Sequence, residues 1–249
     1  MRVKPPDRTG ENLVGTVQRM TEKTPVAVVL VHDRDPALGY RNIGTLVPEL
    51  QGRGYELEVH SFDYGRDAIP PDLDDAAMVV VMGSPDAAYD DGNHWIGPEI
   101  AYLEEAVDRN VPILGVCFGG QLLARVLGGT VAKSQFPEHG FTAVKTEDAA
   151  LEGPWMEFHE DTFDAPAGAT VVAHNDAAQQ AFVYGPHLGL QFHPEIDIDS
   201  FESWADAWVR DNVEQDDALV TAIREDLKTG EADARKRCSA LLDAWLEVG

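Results

Sequence analysis

Four short apolar runs rich in β-branched residues, at 26–31 (VAVVLV), 57–62, 78–82 (MVVVM) and 113–116 (ILGV), alternate with segments of helical spacing. The runs lack the in-and-out alternation of a half-exposed strand, so they fit strands buried on both faces of a parallel sheet. Helical spacing occupies 44–53, then 96–109 with Ile100, Leu103 and Val107 on one face, then 121–127, which stops at Gly128-Gly129. Strand, helix and strand in alternation imply a doubly wound, mostly parallel sheet.

Beyond residue 130 the pattern shifts to short strand-like runs between turn residues, at 130–132, 141–145, 170–174, 181–184 and 188–192. These predict antiparallel or mixed additions to the same domain. After Pro194 the chain is helical to its end, with Phe201, Trp204, Ala205 and Trp208 on one face, then Leu219, Ile223 and Leu227, then Leu241, Leu242, Trp245 and Leu246. Such stripes are expected to pack onto the parent core, with self-association or partner docking as the other use.

The two cysteines, Cys117 and Cys238, sit far apart in different contexts, which favours a reducing compartment over a structural disulfide. Residues 1–24 are mostly polar, lack the apolar stretch of a secretory signal and are expected to be flexible. No apolar run approaches the ~20 residues that span a bilayer, so a cytoplasmic protein is expected. A net charge of −25 excludes nucleic acid and anionic membranes as natural partners, because their phosphates would be repelled.

Residues 115–120 read Gly-Val-Cys-Phe-Gly-Gly, between an apolar run and a helical pattern. A nucleophile on so sharp a turn needs small neighbours two before and two after it. The turn would present Cys117 at the carboxyl end of the sheet, where open α/β folds place their ligands. A thiol with a pKa of roughly 8.5 needs help to ionise, and the start of the following helix offers it. Residues 191–195 read Gln-Phe-His-Pro-Glu after another apolar run, putting His193 at a strand end with Glu195 two residues on. A carboxylate beside an imidazole fixes its tautomer and stabilises its cation. The oxyanion formed on attack needs preorganised N–H donors. Phe118 and the turn Met82-Gly83-Ser84-Pro85 are the candidates.

These residues resemble the class I (triad) glutamine amidotransferases, above all the amidotransferase domain of GMP synthase and its standalone relatives. The resemblance rests on MGSPDAAYDD at 82–91, GVCFGGQLLARVLGG at 115–129, FHEDTF at 158–163, QAFVYG at 180–185 and LQFHPE at 190–195, and covers roughly 26–198. It implies a flavodoxin-like domain over 25–198 with a C-terminal helical extension over 199–249. It implies Cys117 as nucleophile, His193 as base and acid, and Glu195 as its orienter, acting on the γ-amide of glutamine through a thioester. It further implies Gly83 and Phe118 as oxyanion donors, and Gln121, Ser84, His159 and Asp161 lining the glutamine pocket. No metal and no cofactor are called for. The serine-glycine-glycine nucleotide loop of a complete synthase has no counterpart here, so ammonia would pass to a separate synthase or acceptor protein, and a homo-oligomer stays open.

Two other readings remain. A standalone hydrolase of γ-glutamyl amides or peptides would share the acyl-enzyme, and a silent binding module would keep the domain without turnover. A general cysteine peptidase lacks an evident segment to grip a peptide. The scattered His32, His60, His94, His139, His174 and His187 read as surface or structural residues. His94-Trp95 with Asp90-Asp91 suggest a loop over the pocket mouth, and Cys238, among Arg235, Lys236 and Arg237, an incidental thiol on an exposed helix with a lowered pKa. Aspartate outnumbers glutamate 25 to 19 and arginine outnumbers lysine 13 to 6, which leaves two accounts of the acidity. A merely well-solvated surface predicts a Tm little changed between low and molar KCl; a steep rise in thermal melts assigns the acidity to salt adaptation.

Overall fold

The computed structural model describes residues 23–65 and 69–248, so most of the expected flexible N-terminal segment lies outside the described residues. The first half runs β1 (Val26–Leu30), α1 (Pro36–Arg41), α2 (Leu46–Gly52), β2 (Glu56–His60), β3 (Ala76–Val81), α3 (Ile96–Asp108), β4 (Ile113–Val116) and α4 (Phe118–Val126). The second runs β5 (Thr130–Thr142), β6 (Lys145–Thr146), β7 (Trp155–Asp164), β8 (Thr170–His174), β9 (Gln179–Tyr184), β10 (His187–Leu190), α5 (Ile198–Asp211) and α6 (Asp217–Val248).

The main sheet has the order β2-β1-β3-β4-β10-β9-β8-β6. Its first five strands are parallel, and β9, β8 and β6 continue it antiparallel. This is the flavodoxin-like, doubly wound sheet with antiparallel additions. Successive residues along β1 serve opposite faces: Ala27 and Val29 join one core with α2 (Leu46, Leu50) and α6 (Leu241, Leu242, Trp245). Val28 and Leu30 join the other with α3 (Leu103, Ala106) and α4 (Leu122, Leu123). The period of two along a strand divides a continuous apolar run between the two layers of helices.

Three elements depart from the sequence reading. Residues 130–132 and 141–145 are not two short strands of the main sheet; 130–142 form one long strand, β5, which pairs with β7 in a separate two-stranded sheet. β7 carries the polar stretch Glu157-Phe158-His159-Glu160-Asp161 at its centre, so no apolar run announces it. α1 is six residues long and was missed for lack of a period; Asp35 caps it by accepting from the Ala37 N–H, and Pro36 opens it.

The C-terminal stripes form two helices. α5 begins with a capping box in which Asp197 and Ser200 exchange side-chain and backbone hydrogen bonds. Its Phe201 packs with Ile223 and Leu227 of α6 and with Met156 of β7 in a third cluster. Trp245 of α6 is 7% exposed and donates its indole N–H to the Pro186 carbonyl at 3.0 Å. Truncating so large a buried side chain removes both transfer energy and packing. Trp245→Ala is expected to lower stability by about 3–5 kcal/mol in urea unfolding; a change under about 1 kcal/mol would mean α6 is not part of the core.

Candidate active site

Cys117 occupies the single-residue turn between β4 and α4 with φ 53° and ψ −108°, a conformation costly for any side chain with a Cβ. What holds it there is close backbone packing. A Cβ on Gly115 would stand 2.4 Å from the Gly119 carbonyl oxygen, one on Gly119 would stand 2.1 Å from that of Val81, and one on Gly120 2.2 Å from that of Leu190. Glycine is thus required at all three positions for α4 to sit on β3 and β10. The Cys117 N–H donates to Leu190 O at 2.9 Å, extending the sheet to the turn itself. Phe118 opens α4, so its N–H has no carbonyl partner within the helix.

His193 stands beyond β10, with its N–H donating to Met156 O of β7 at 2.8 Å. Its Nδ1 faces Glu195 Oε1 at 2.8 Å, which leaves Nε2 on the side away from that carboxylate. Burial disfavours the imidazolium, but Glu195 and then Cys117 outweigh it and raise the His193 pKa well above the usual value. Glu195 is itself fixed through its backbone: Thr45 donates its N–H to the Glu195 carbonyl at 2.9 Å and its hydroxyl at 3.1 Å. Gly44, at φ 56°, makes that contact feasible, since a Cβ there would stand 2.3 Å from the same oxygen. On the far side, a Cβ on Gly83 would come within 3.0 Å of His193 Cε1 and 3.9 Å of Cys117 Cβ. Gly83, Cys117 and His193 therefore meet at one point.

Gln121, Gln191 and the Asp161 backbone form a hydrogen-bonded wall beside this point. Gln121 donates to the Asp161 carbonyl at 3.0 Å and to Gln191 Oε1 at 3.3 Å, while Gln191 Nε2 lies 3.8 Å from Cys117 Sγ. Asp161 takes part with its backbone, and its carboxylate accepts from the Tyr89 hydroxyl at 3.3 Å. The Ser84 hydroxyl accepts from the Asp86 N–H at 3.1 Å and so shapes the loop after β3. His159 lies behind the wall: Nδ1 faces Asp161 O at 2.9 Å, and Nε2 faces Glu138 and Glu157 at 3.3 and 3.4 Å. With acceptors at both nitrogens, burial is overcome by the two carboxylates and the pKa rises to about 10. Ligand atoms of Glu138, Glu157 and His159 lie within 4.8 Å of one another, but a cation could enter only in place of the His159 proton.

Several contributors escaped the sequence reading. Trp204 of α5 sets its ring edgewise to His193, 4.8 Å between centroids, and Trp208 stacks on Phe158. Glu138 and Glu157 carried no motif, and Gln191 was read only as part of the histidine segment. Trp95, expected at the pocket mouth, is buried and stacks on His32 at 4.9 Å, while Asp91 pairs with Arg125 on α4. Cys238 is also corrected: it is fully buried under α2, and burial pushes its pKa up to about 12, because the basic neighbours at 235–237 point elsewhere on the helix.

The model of the family described as glutamine amidotransferase class-I matches residues 40–204, two thirds of the chain. The chain belongs to that family. Within it, the amidotransferase resembles GMP synthase [glutamine-hydrolyzing] of Macrococcus caseolyticus, 30% identical over 47% of this chain and 24% of the relative. It is 31% identical to that of Bdellovibrio bacteriovorus over 59% of this chain and 29% of the relative. The chain thus spans less than a third of these curated relatives. A glutamine amidotransferase from Methylobacillus flagellatus superimposes with TM-score 0.75 at 26% identity, covering 90% of this chain and 94% of the other. One from Thermotoga maritima gives 0.76 at 23% identity, covering 90% and 99%, a likeness of fold.

Because folding raises the His159 pKa, its ionic contribution to stability is complete below about pH 6.5 and is lost as pH climbs through about 10. The urea midpoint is expected to fall across that window. In His159→Gln, which bears no charge there, the fall should be shallower; parallel profiles for the two proteins would refute the assignment.

Proposed function

We propose that this amidotransferase is a thiol hydrolase that cleaves the γ-amide of glutamine through a γ-glutamyl thioester, with Cys117, His193 and Glu195 as its triad. The observation that carries the reading is the strained Cys117 turn facing both Gly83 and a His193 whose other nitrogen is held 2.8 Å from Glu195. Membership of the family supports it.

In this reading His193 Nε2 takes the Cys117 proton and the thiolate attacks the side-chain carbonyl carbon of glutamine. The tetrahedral oxyanion sits between the N–H groups of Gly83 and Phe118, in a site where Cys117 and His193 are 6% and 4% exposed, so little water screens the charge. The His193 imidazolium then gives its proton to the departing nitrogen, and ammonia leaves with the thioester formed. Water attacks the thioester with its proton taken by His193, the C–S bond breaks, and glutamate departs as the thiol is restored. Glu195 holds the Nδ1–H throughout and stabilises the imidazolium. Gln121, Ser84, His159 and Asp161 shape the substrate pocket. Ammonia passes to an acceptor protein in this account, as the synthase relatives suggest.

Cys117→Ser and His193→Ala are each expected to lower glutamine hydrolysis by about 10³-fold or more. A glutamine-directed diazo-ketone should leave a single adduct on Cys117 by mass spectrometry; label on Cys238 alone would overturn the site. A panel of γ-glutamyl amines and peptides tests the leaving group, and inactivity on every member together with an undiminished biological effect of Cys117→Ser would establish a binding module instead.

A further inference from the structure

His32, one of the histidines without a motif, follows β1 and is buried directly behind Gly83. Its Nδ1 lies 3.0 Å from the Gly83 carbonyl oxygen, and its Nε2 lies 3.0 and 3.2 Å from the two carboxylate oxygens of Glu99 in the first turn of α3. The side chains of His32 and Glu99 are 1% and 0% exposed. Both ring nitrogens face oxygens, and the doubly protonated ring donates to the Gly83 carbonyl and the Glu99 carboxylate at once. The ring is stacked on Trp95 at 4.9 Å and stands edgewise to Phe118 at 4.8 Å, and Trp95 in turn packs 5.5 Å from Phe118. Glu99, and to a lesser extent Asp86 in the loop after β3, favour the charged ring against its burial, while desolvation lowers the pKa of His60 at the end of β2.

This arrangement touches both proposed oxyanion donors from behind. Gly83 has no side chain to fix its torsions, so its N–H keeps a single direction only if something else holds the residue. The hydrogen bond to its carbonyl does that, and the same ring supports the first residue of α4. We propose that His32, tied to Glu99, is a positioning residue that locks Gly83 with its N–H aimed at the developing oxyanion. The inference rests on the hydrolytic reading above but names a residue that reading does not use. A loose donor loses most of its effect, and a whole donor is commonly worth about 10² to 10³ in rate.

The test separates acylation from thiol reactivity. p-Nitrophenyl acetate acylates Cys117 through a tetrahedral oxyanion whatever the natural amide, whereas iodoacetamide alkylates it by displacement at a saturated carbon with no oxyanion. Rates are taken on the full chain, with Cys117→Ser as background. His32→Gln places its amide nitrogen toward Glu99 and releases Gly83; His32→Asn places its nitrogen toward Gly83 and releases Glu99. The acylation-to-alkylation ratio is expected to fall about 10²-fold in His32→Gln and no more than about fivefold in His32→Asn. Glu99→Gln, which keeps an acceptor but removes the charge, should lower the ratio by an intermediate factor and serves if either histidine variant fails to fold. An unchanged ratio in His32→Gln or Glu99→Gln, or equal falls in the Gln and Asn variants, would overturn the proposal. Glutamine turnover of the wild type is scored separately, so its absence counts against the hydrolytic reading alone.

Discussion

The backbone contact between α4 and the sheet is the constraint on which the rest depends. Three glycines, at 115, 119 and 120, let the start of a helix approach carbonyl oxygens of β3 and β10 at distances no Cβ would allow. That approach leaves no room for a relaxed connection, so the one residue between β4 and α4 is forced to a positive φ. Backbone strain of this kind costs on the order of 1–3 kcal/mol and survives only where the surroundings over-determine it. Here the surroundings are two buried strands, each packed on both faces.

Buried charge follows a single pattern around this turn. His32 and His159 have both nitrogens facing acceptors, His193 has Nδ1 on Glu195, and each is accompanied by buried carboxylate. In a chain of net charge −25, the neighbouring carboxylates raise the pKa of all three rings against their burial. Of the three, His32 is the ring hydrogen-bonded at both nitrogens, to the Gly83 carbonyl and to Glu99.

The parallel half of the fold was legible because a strand buried on both faces must be continuously apolar, and 26–31, 78–82 and 113–116 are. The turn at Cys117 was legible for a related reason: steric necessity writes glycine at fixed offsets. β7 was not, because its solvent-facing and pocket-facing residues are charged and its role is to carry Glu157 and His159 inward. Nor were the partners of His32 and Trp204, which come together from elements separated by 67 residues in one case and across α5 in the other. Local pattern carries no information about such pairings. Cys238 shows the converse, since its charged neighbours along the chain are not its neighbours in space, a helix turning each to a different side.

The C-terminal helices bear on the same geometry from outside. Thr45, which fixes the Glu195 carbonyl, has its hydroxyl 3.6 Å from Cys238 Sγ of α6, and Arg53 of the following turn binds Ser239 O and the Asp243 carboxylate. α6 therefore covers the segment that positions Glu195, while α5 lays Trp204 against His193 itself. An aromatic ring there covers one side of the imidazole without competing for either nitrogen. The tail thus bounds His193 and the segment carrying Glu195 from two directions, and its apolar stripes meet β7 and α2 as well as each other.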